Sequence, residues 1–434
     1  MAMSFRVMPV SLLLIATIAA LPARAAIPRA DVERAVADVR QALARDHGRL
    51  WGIPLDGPIL FVDPQTREIV ATAADSAGRL KPLGFVFVGT LPQEINVANT
   101  ALTWSGRRWS MVMWPIPADA FKRRALLIHE LWHRVQDRLG LPASGPSNAH
   151  LDHPDGRLWL QLEWRALAQA LEATGRERRD AIVDALAFRA VRRARFPGAA
   201  GDERALERNE GLAEYTGVRL AHPTRDGATA FAQVALANAN AYPSFVRSFA
   251  YVSGPAYGLL LDGARPKWRR ELGRNGDLGE LLGEASGITA PDTSAAHATA
   301  RAERYGFATI AAAERERERG RQEKLAELRR RYVDGPTLRI PIRSGDFSFD
   351  PRGLQPLDTL GTVYTSLRIS DVWGILDAAQ GGLIASDFSA VTVAAPSTAT
   401  GDTLRGPGWT LALDAAWQIG PAARPGCFQL SAKN

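Results

Sequence analysis

Cysteine is nearly absent: Cys427 is the only one in 434 residues. No internal disulfide can form, so stability must come from ordinary packed cores. Long apolar runs are missing as well. The one continuous stretch, Val7 to Leu21, is short for a comfortable membrane span, so no stable span is expected after it is removed. One-sided charge is also lacking. The formal net charge is +7, and basic residues alternate with acidic ones, as in 176–179 and 315–319. That pattern describes solvated helix faces and argues against a nucleic-acid-binding surface. There is no internal repeat and no sustained heptad.

What the N-terminus does contain is Arg6, the apolar stretch, Pro22 and the small-residue pattern Ala23-Arg24-Ala25. This predicts a secretory signal over 1–25 with cleavage after Ala25, and hence a periplasmic or secreted protein. No cysteine follows the apolar stretch to carry a lipid anchor. With 46% hydrophobic residues, the remainder has material for two or three packed domains.

The pattern Val32, Val36, Val39, Leu43 predicts a first helix. Strand-like runs follow at 59–62, 68–73 and 85–90, and a hairpin at 100–104 and 108–114 turns through Ser105-Gly106. Helices are expected over 158–173, 178–195 and 202–220, with mostly helical character again over 231–262. Residues 298–334 read as a charged linker helix. From 335 to 434 the texture changes to strands at 337–342, 362–369, 389–394 and 410–419, a small β-rich domain with no chemistry-bearing motif.

The most informative string is His129-Glu130-Leu131-Trp132-His133, an H-E-x-x-H motif. Apolar residues at Phe121, Ala125, Ile128, Leu131, Trp132, Val135 and Leu139 have helical spacing; Asp119 can cap the start and Gly140 the end. On a helix, positions four apart share a face, so both imidazoles can reach one metal ion while Glu130 points at its water. Two histidines cannot hold a catalytic zinc alone, since such sites use three protein ligands. The candidates for the third are Glu210, within Asn209-Glu210-Gly211-Leu212-Ala213-Glu214, and Glu163, within Gln161-Leu162-Glu163-Trp164. His150 and His153, three apart in a polar loop, are either ordinary surface histidines or contributors to a site.

The H-E-x-x-H string together with Asn209-Glu210 and Glu214 resembles the gluzincin metallopeptidases, the group that includes thermolysin and the one-zinc aminopeptidases. The resemblance covers about 100–262 and implies an α+β, zincin-like catalytic domain over 26–297, with a β-rich lobe at about 50–116 and a helical lobe at about 117–297. It implies one zinc ion held by His129, His133 and Glu210, with Glu214 accepting a hydrogen bond from a ligand imidazole; Asp137 is a further candidate for orienting the site. Tyr251-Val252-Ser253-Gly254 is similar to the Tyr-x-x-Gly segment of one-zinc aminopeptidases, which implies that Tyr251 holds the developing oxyanion, with Tyr257 in reserve. The chain departs from the pattern in one respect. His133 and Glu210 are 77 positions apart, longer than usual, so a helical hairpin must be inserted; Glu163 is only 30 positions on.

The implied reaction is hydrolysis of a peptide or protein substrate, with Glu130 as general base. The arm 108–114 is expected to be an edge strand that aligns the substrate, with Trp104, Trp109 and Trp114 near it or in the core. The Gly-x-Met-Glu-Asn string that binds a substrate amino terminus does not occur, which favours an endopeptidase or a non-standard specificity. Two other functions share these features: a zinc hydrolase of a non-protein amide or ester, and a non-catalytic envelope binding protein retaining a zincin scaffold. The scaffold reading would need neither Glu130 nor an oxyanion donor.

Overall fold

The four apolar residues that predict the first helix are buried on one face of α1, Arg29–Asp46. The computed structural model describes residues 27–273, 276–288, 294–349, 354–397 and 402–433; the predicted signal segment, 1–25, lies outside them. The chain is mixed α+β, with a β-rich C-terminal region. Contacts divide it into two compact units, Met1–Ile310 and Ala311–Asn434.

In the first unit, strands β1 (Ile59–Val62), β2 (Glu68–Ala71), β3 (Lys81–Leu83), β4 (Val86–Thr90), β5 (Thr100–Trp104) and β6 (Arg107–Met113) form one sheet in the order β3-β4-β2-β1-β6-β5. All neighbours are antiparallel except β1 and β6, which run parallel with Leu60 opposite Met111. The arm expected to be the edge is therefore interior. β6 is hydrogen-bonded on both sides, and β5, the other arm of the hairpin, forms the edge. Apolar Trp109 and Met111 alternate with Ser110 along β6, so burying the two apolar side chains on one face of the sheet directs Ser110 to the other. Trp104 and Trp109 pack in that core, and Trp114 meets Phe61 edge-on.

Helix α2, Ala120–Val135, lies against β5 and β6. Asp119 accepts from the Lys122 N–H at 2.8 Å and so satisfies the first turn, and the Ser110 hydroxyl donates to the Glu130 carbonyl at 2.9 Å. The insertion expected from the long interval is a hairpin of α3, Pro154–Glu172, and α4, Gly175–Arg195. The next helix departs from a regular α-helix. It begins as α5, Ala199–Leu206, widens through a π turn at Glu207–Gly211, and continues as α6, Leu212–Ala221. Helices α7 (Arg225–Asn238) and α8 (Ser248–Ala264) follow, then α9 (Trp268–Glu271), α10 (Leu278–Ala285) and α11 (Ala295–Ala302).

Two contacts without side chains set the spacing of this helical layer. A Cβ at Gly217 would lie 2.5 Å from the Ala125 carbonyl oxygen, so α6 rests directly on the backbone of α2. A Cβ at Gly254 would lie 2.3 Å from the Gly211 carbonyl oxygen, so α8 rests in the same way on the π turn. These approaches bring the acidic face of α6 to the histidines of α2 and place Tyr251, one turn before Gly254, beside Glu210.

The expected linker helix over 298–334 is not continuous. Gly306, at φ +73°, ends the first part, and α12 runs from Phe307 to Arg329. Ala298, Ala302 and Tyr305 are buried, and the Tyr305 hydroxyl donates to Asp184 at 2.8 Å, so this part packs within the first unit. In the second unit, the described strands form a seven-stranded and a five-stranded sheet. Leu338, Ile340, Ile369, Trp373, Leu376, Val393 and Leu411 share a core there. The expected strand 362–369 is two strands in different sheets, Gly361–Tyr364 and Leu367–Asp371, because the chain turns at Thr365-Ser366. The run 410–419 also splits, into Trp409–Leu413 and Trp417–Pro421.

Gly217→Ala tests the α2–α6 contact. Alanine gains about 1 kcal/mol of helix propensity, but the new Cβ meets backbone that cannot swing aside. A net loss of about 1–3 kcal/mol is expected, read as a lower denaturant midpoint; an unchanged or raised midpoint would show that the helices have room to spare.

Candidate metal centre

The stretch of α2 that carries His129, Glu130 and His133 packs against β6 and α6, with His129 and Glu130 buried and His133 partly so, and all three line a cleft of about 340 Å³. The two imidazole Nε2 atoms face each other at 3.1 Å. Glu210 Oε2 lies 3.5 Å from Nε2 of His129 and 3.6 Å from Nε2 of His133. A tetrahedral ion with bonds of about 2.0–2.1 Å separates its ligands by about 3.3 Å, so these three atoms are spaced as the corners of such a site. A His/His/Glu cluster is a general metal-binding arrangement and does not by itself identify a family.

Each histidine is oriented by its other nitrogen. His129 Nδ1 is 2.9 Å from Glu214 Oε2. His133 Nδ1 is 2.7 Å from Gln136 Oε1; Gln136 Nε2 donates to Asn209 Oδ1 at 2.9 Å; Asn209 Nδ2 donates to Glu210 Oε1 at 3.3 Å. The direction of this relay is forced, because Glu210 can only accept. Followed back, it makes Gln136 Oε1 an acceptor and leaves the proton of His133 on Nδ1. Both Nε2 lone pairs are then presented to one point. Glu214 thus stands where the sequence expected it. Asp137 does not orient the site; it is exposed at the rim and paired with Arg108 at 3.3 Å, and Gln136 beside it has that part instead.

The Tyr251 hydroxyl donates to Glu210 Oε2 at 2.6 Å, and its ring stacks on His129 at 5.7 Å. Arg247, not singled out from sequence, donates from Nη2 to Glu210 Oε1 at 3.0 Å. Glu130 is buried, and its Oε2 has no hydrogen-bond partner among the described residues.

Electrostatically the centre is short of positive charge. Burial disfavours a charged His129, yet hydrogen bonds that its N–H groups donate to Glu210 and Glu214 outweigh it and push its pKa up to about 10. Burial also opposes ionisation of Glu210, but His129, His133 and Tyr251 hold its carboxyl far below the usual range. Desolvation pushes Glu130 up, with His129 and His133 opposing. Desolvation and the neighbouring Glu210 push the Tyr251 hydroxyl up. The two Nε2 atoms and the Glu210 carboxylate together have the donors and spacing to hold a divalent metal ion once the His129 proton leaves.

The remaining candidates lie elsewhere. Glu163 is fully buried and accepts from Arg189 at 3.2 Å, from the Tyr257 hydroxyl at 2.7 Å and from Arg192. It belongs to an ionic cluster with Glu203, Glu207 and Asp277, not to the metal centre, and Tyr257 is spent there with it. His150 joins the same cluster through Glu203 at 2.9 Å, and His153 caps α3 by accepting from the Asp155 N–H. Gln136 was within reach of a sequence reading, since it follows His133 by one turn; Arg247, in an irregular turn before α8, offered no periodic signal.

No family profile, curated protein or solved structure matches this chain.

The raised His129 gives a pH dependence with a definite sign. A group whose pKa rises from 6.5 to about 10 keeps its proton across that window, and the proton must leave before Nε2 can bind a metal. Affinity for a divalent metal ion is therefore expected to increase as pH rises from about 6.5 towards 10, with proton uptake by buffer visible in calorimetry at pH 7. Binding without proton release at pH 7 would contradict the assignment.

Proposed function

We propose that the protein is an exported zinc-dependent peptidase. The observation that carries the reading is the combination on one cleft wall of a three-ligand cluster with an unpartnered, buried carboxylate oxygen on Glu130. A purely structural metal site has no use for an unsatisfied buried carboxylate, which is costly unless it has a task. The donor set of two imidazoles and one carboxylate, with no thiolate, suits zinc. Zinc bound there would polarise a substrate carbonyl and ease the deprotonation of a water.

The chain's own groups supply the remainder. Glu130, next in sequence to a ligand on the same helix, takes the proton of the attacking water and hands it to the leaving nitrogen. Its raised proton affinity, from burial, favours holding that proton between the two steps. Tyr251 turns its hydroxyl from Glu210 to the substrate oxygen on which charge develops. Glu214 and Gln136 keep the imidazoles aligned throughout. The substrate class rests on β5: among the described residues it pairs only with β6, and Thr100 and Ala101 line the cleft. A free strand edge there offers main-chain donors and acceptors to an extended peptide. Export rests on the N-terminal pattern of Arg6, the apolar stretch and Ala23-Arg24-Ala25.

Glu130→Gln is expected to retain one zinc ion per chain and to lose about 10²–10⁴-fold in turnover. A peptide-library cleavage screen run beside metal analysis checks both; wild-type rates from the variant would remove Glu130 from the mechanism.

A further inference from the structure

Two cationic side chains line the cleft among the described residues, Arg108 and Arg247. Arg108 is already matched by Asp137, which takes no part in the metal centre. Arg247 differs. Among the described residues its one anionic partner is Glu210, through Nη2 and Oε1, and its side chain remains 60% exposed. Glu210 does not depend on it, since Asn209 and Tyr251 hold the same carboxylate. When Glu210 shares its charge with a metal, the guanidinium is left with a largely uncompensated charge and with N–H donors still unspent, at the open side of the site.

We propose that Arg247 recognises a carboxylate of the substrate beside the scissile bond, so that the favoured substrates are peptides with an anionic group at that position. The inference rests on the peptidase reading. A guanidinium offers a planar fork that matches a carboxylate, and a charge-assisted pair of this kind in a half-closed cleft discriminates strongly against a neutral isostere. Tyr251, deeper in the site and stacked on His129, is left to the reacting oxygen. The carboxylate has two chemical sources, a peptide's free C-terminus or an acidic side chain, and the substrates can be built to separate them.

The experiment uses the zinc-loaded full chain and three peptides of one core sequence: C-terminally amidated and neutral, amidated with an acidic residue flanking the cleaved bond, and neutral with a free C-terminal carboxylate. Wild-type protein is expected to prefer one of the two anionic peptides over the neutral one by about tenfold or more in kcat/KM. In Arg247→Gln the preference should shrink to within about twofold, and Arg247→Lys should restore part of it, since lysine keeps charge without the fork. Zinc content should match wild type in both variants. Calorimetric affinity for a carboxylate-bearing hydroxamate over its amide twin should follow the same order, independently of turnover. If Arg247→Gln slows all three peptides equally and loses zinc, the residue only braces Glu210. Cleavage of all three by wild type without preference overturns the role of Arg247 alone; cleavage of none overturns the peptidase reading and this inference with it.

Discussion

Two imidazole nitrogens held 3.1 Å apart, with a carboxylate oxygen at 3.5 and 3.6 Å, have the spacing of three ligands around one metal ion. Much of the first unit can be understood as what is needed to maintain it. Nothing in the local preference of a helix brings Glu210 to α2; the approach depends on Gly217 meeting the backbone of α2 and on Gly254 meeting the π turn. Glycine serves at both positions because any Cβ would force the helices apart, and a shift of an ångström would separate the ligand atoms beyond what one ion spans.

The inserted α3–α4 hairpin fits the same constraint. Arg189 binds Glu207 through both terminal nitrogens and also reaches Glu163 and Asp277, all with almost no exposure. Burying so many charges gains little net stability, because desolvation offsets most of the attraction. What it does confer is a fixed geometry at the π turn, which carries Glu207 towards the cluster and Glu210 towards the histidines. π turns recur where a helix must present side chains at an irregular angle for a functional purpose. The electrostatic sign agrees: the Arg-rich cluster is matched by its own carboxylates, so Glu210 and Glu214 are left to attract a cation at the centre.

Helix α2 is legible because its signals are local: a cap at Asp119, apolar spacing through Val135, a stop at Gly140, and two histidines one turn apart. Glu210 and Tyr251 were reached through short strings resembling a known family, and the structure brings both to the histidines. Glu163 was a plausible alternative because sequence separation says nothing about direction, and only packing shows it facing Arg189 and Arg192. The sequence points to the wrong arm of the hairpin as the edge for a similar reason. Alternation marks β6 as a strand, but which arm finds a second partner is decided by the parallel pairing with β1, a contact about fifty residues away. Arg247 and the π turn left no periodic trace. In the second unit, two turns inside apolar runs were missed because neither contains the glycine or proline that usually announces one.

X-ray absorption at the zinc edge, on full-length protein titrated with one equivalent of zinc, tests the central claim most directly. The account predicts a single tightly held ion with four nitrogen and oxygen neighbours at about 2.0–2.1 Å and the multiple-scattering signature of two imidazoles, lost when Glu210 is replaced by alanine. A spectrum of hydrated zinc, or one unchanged by that substitution, would contradict it.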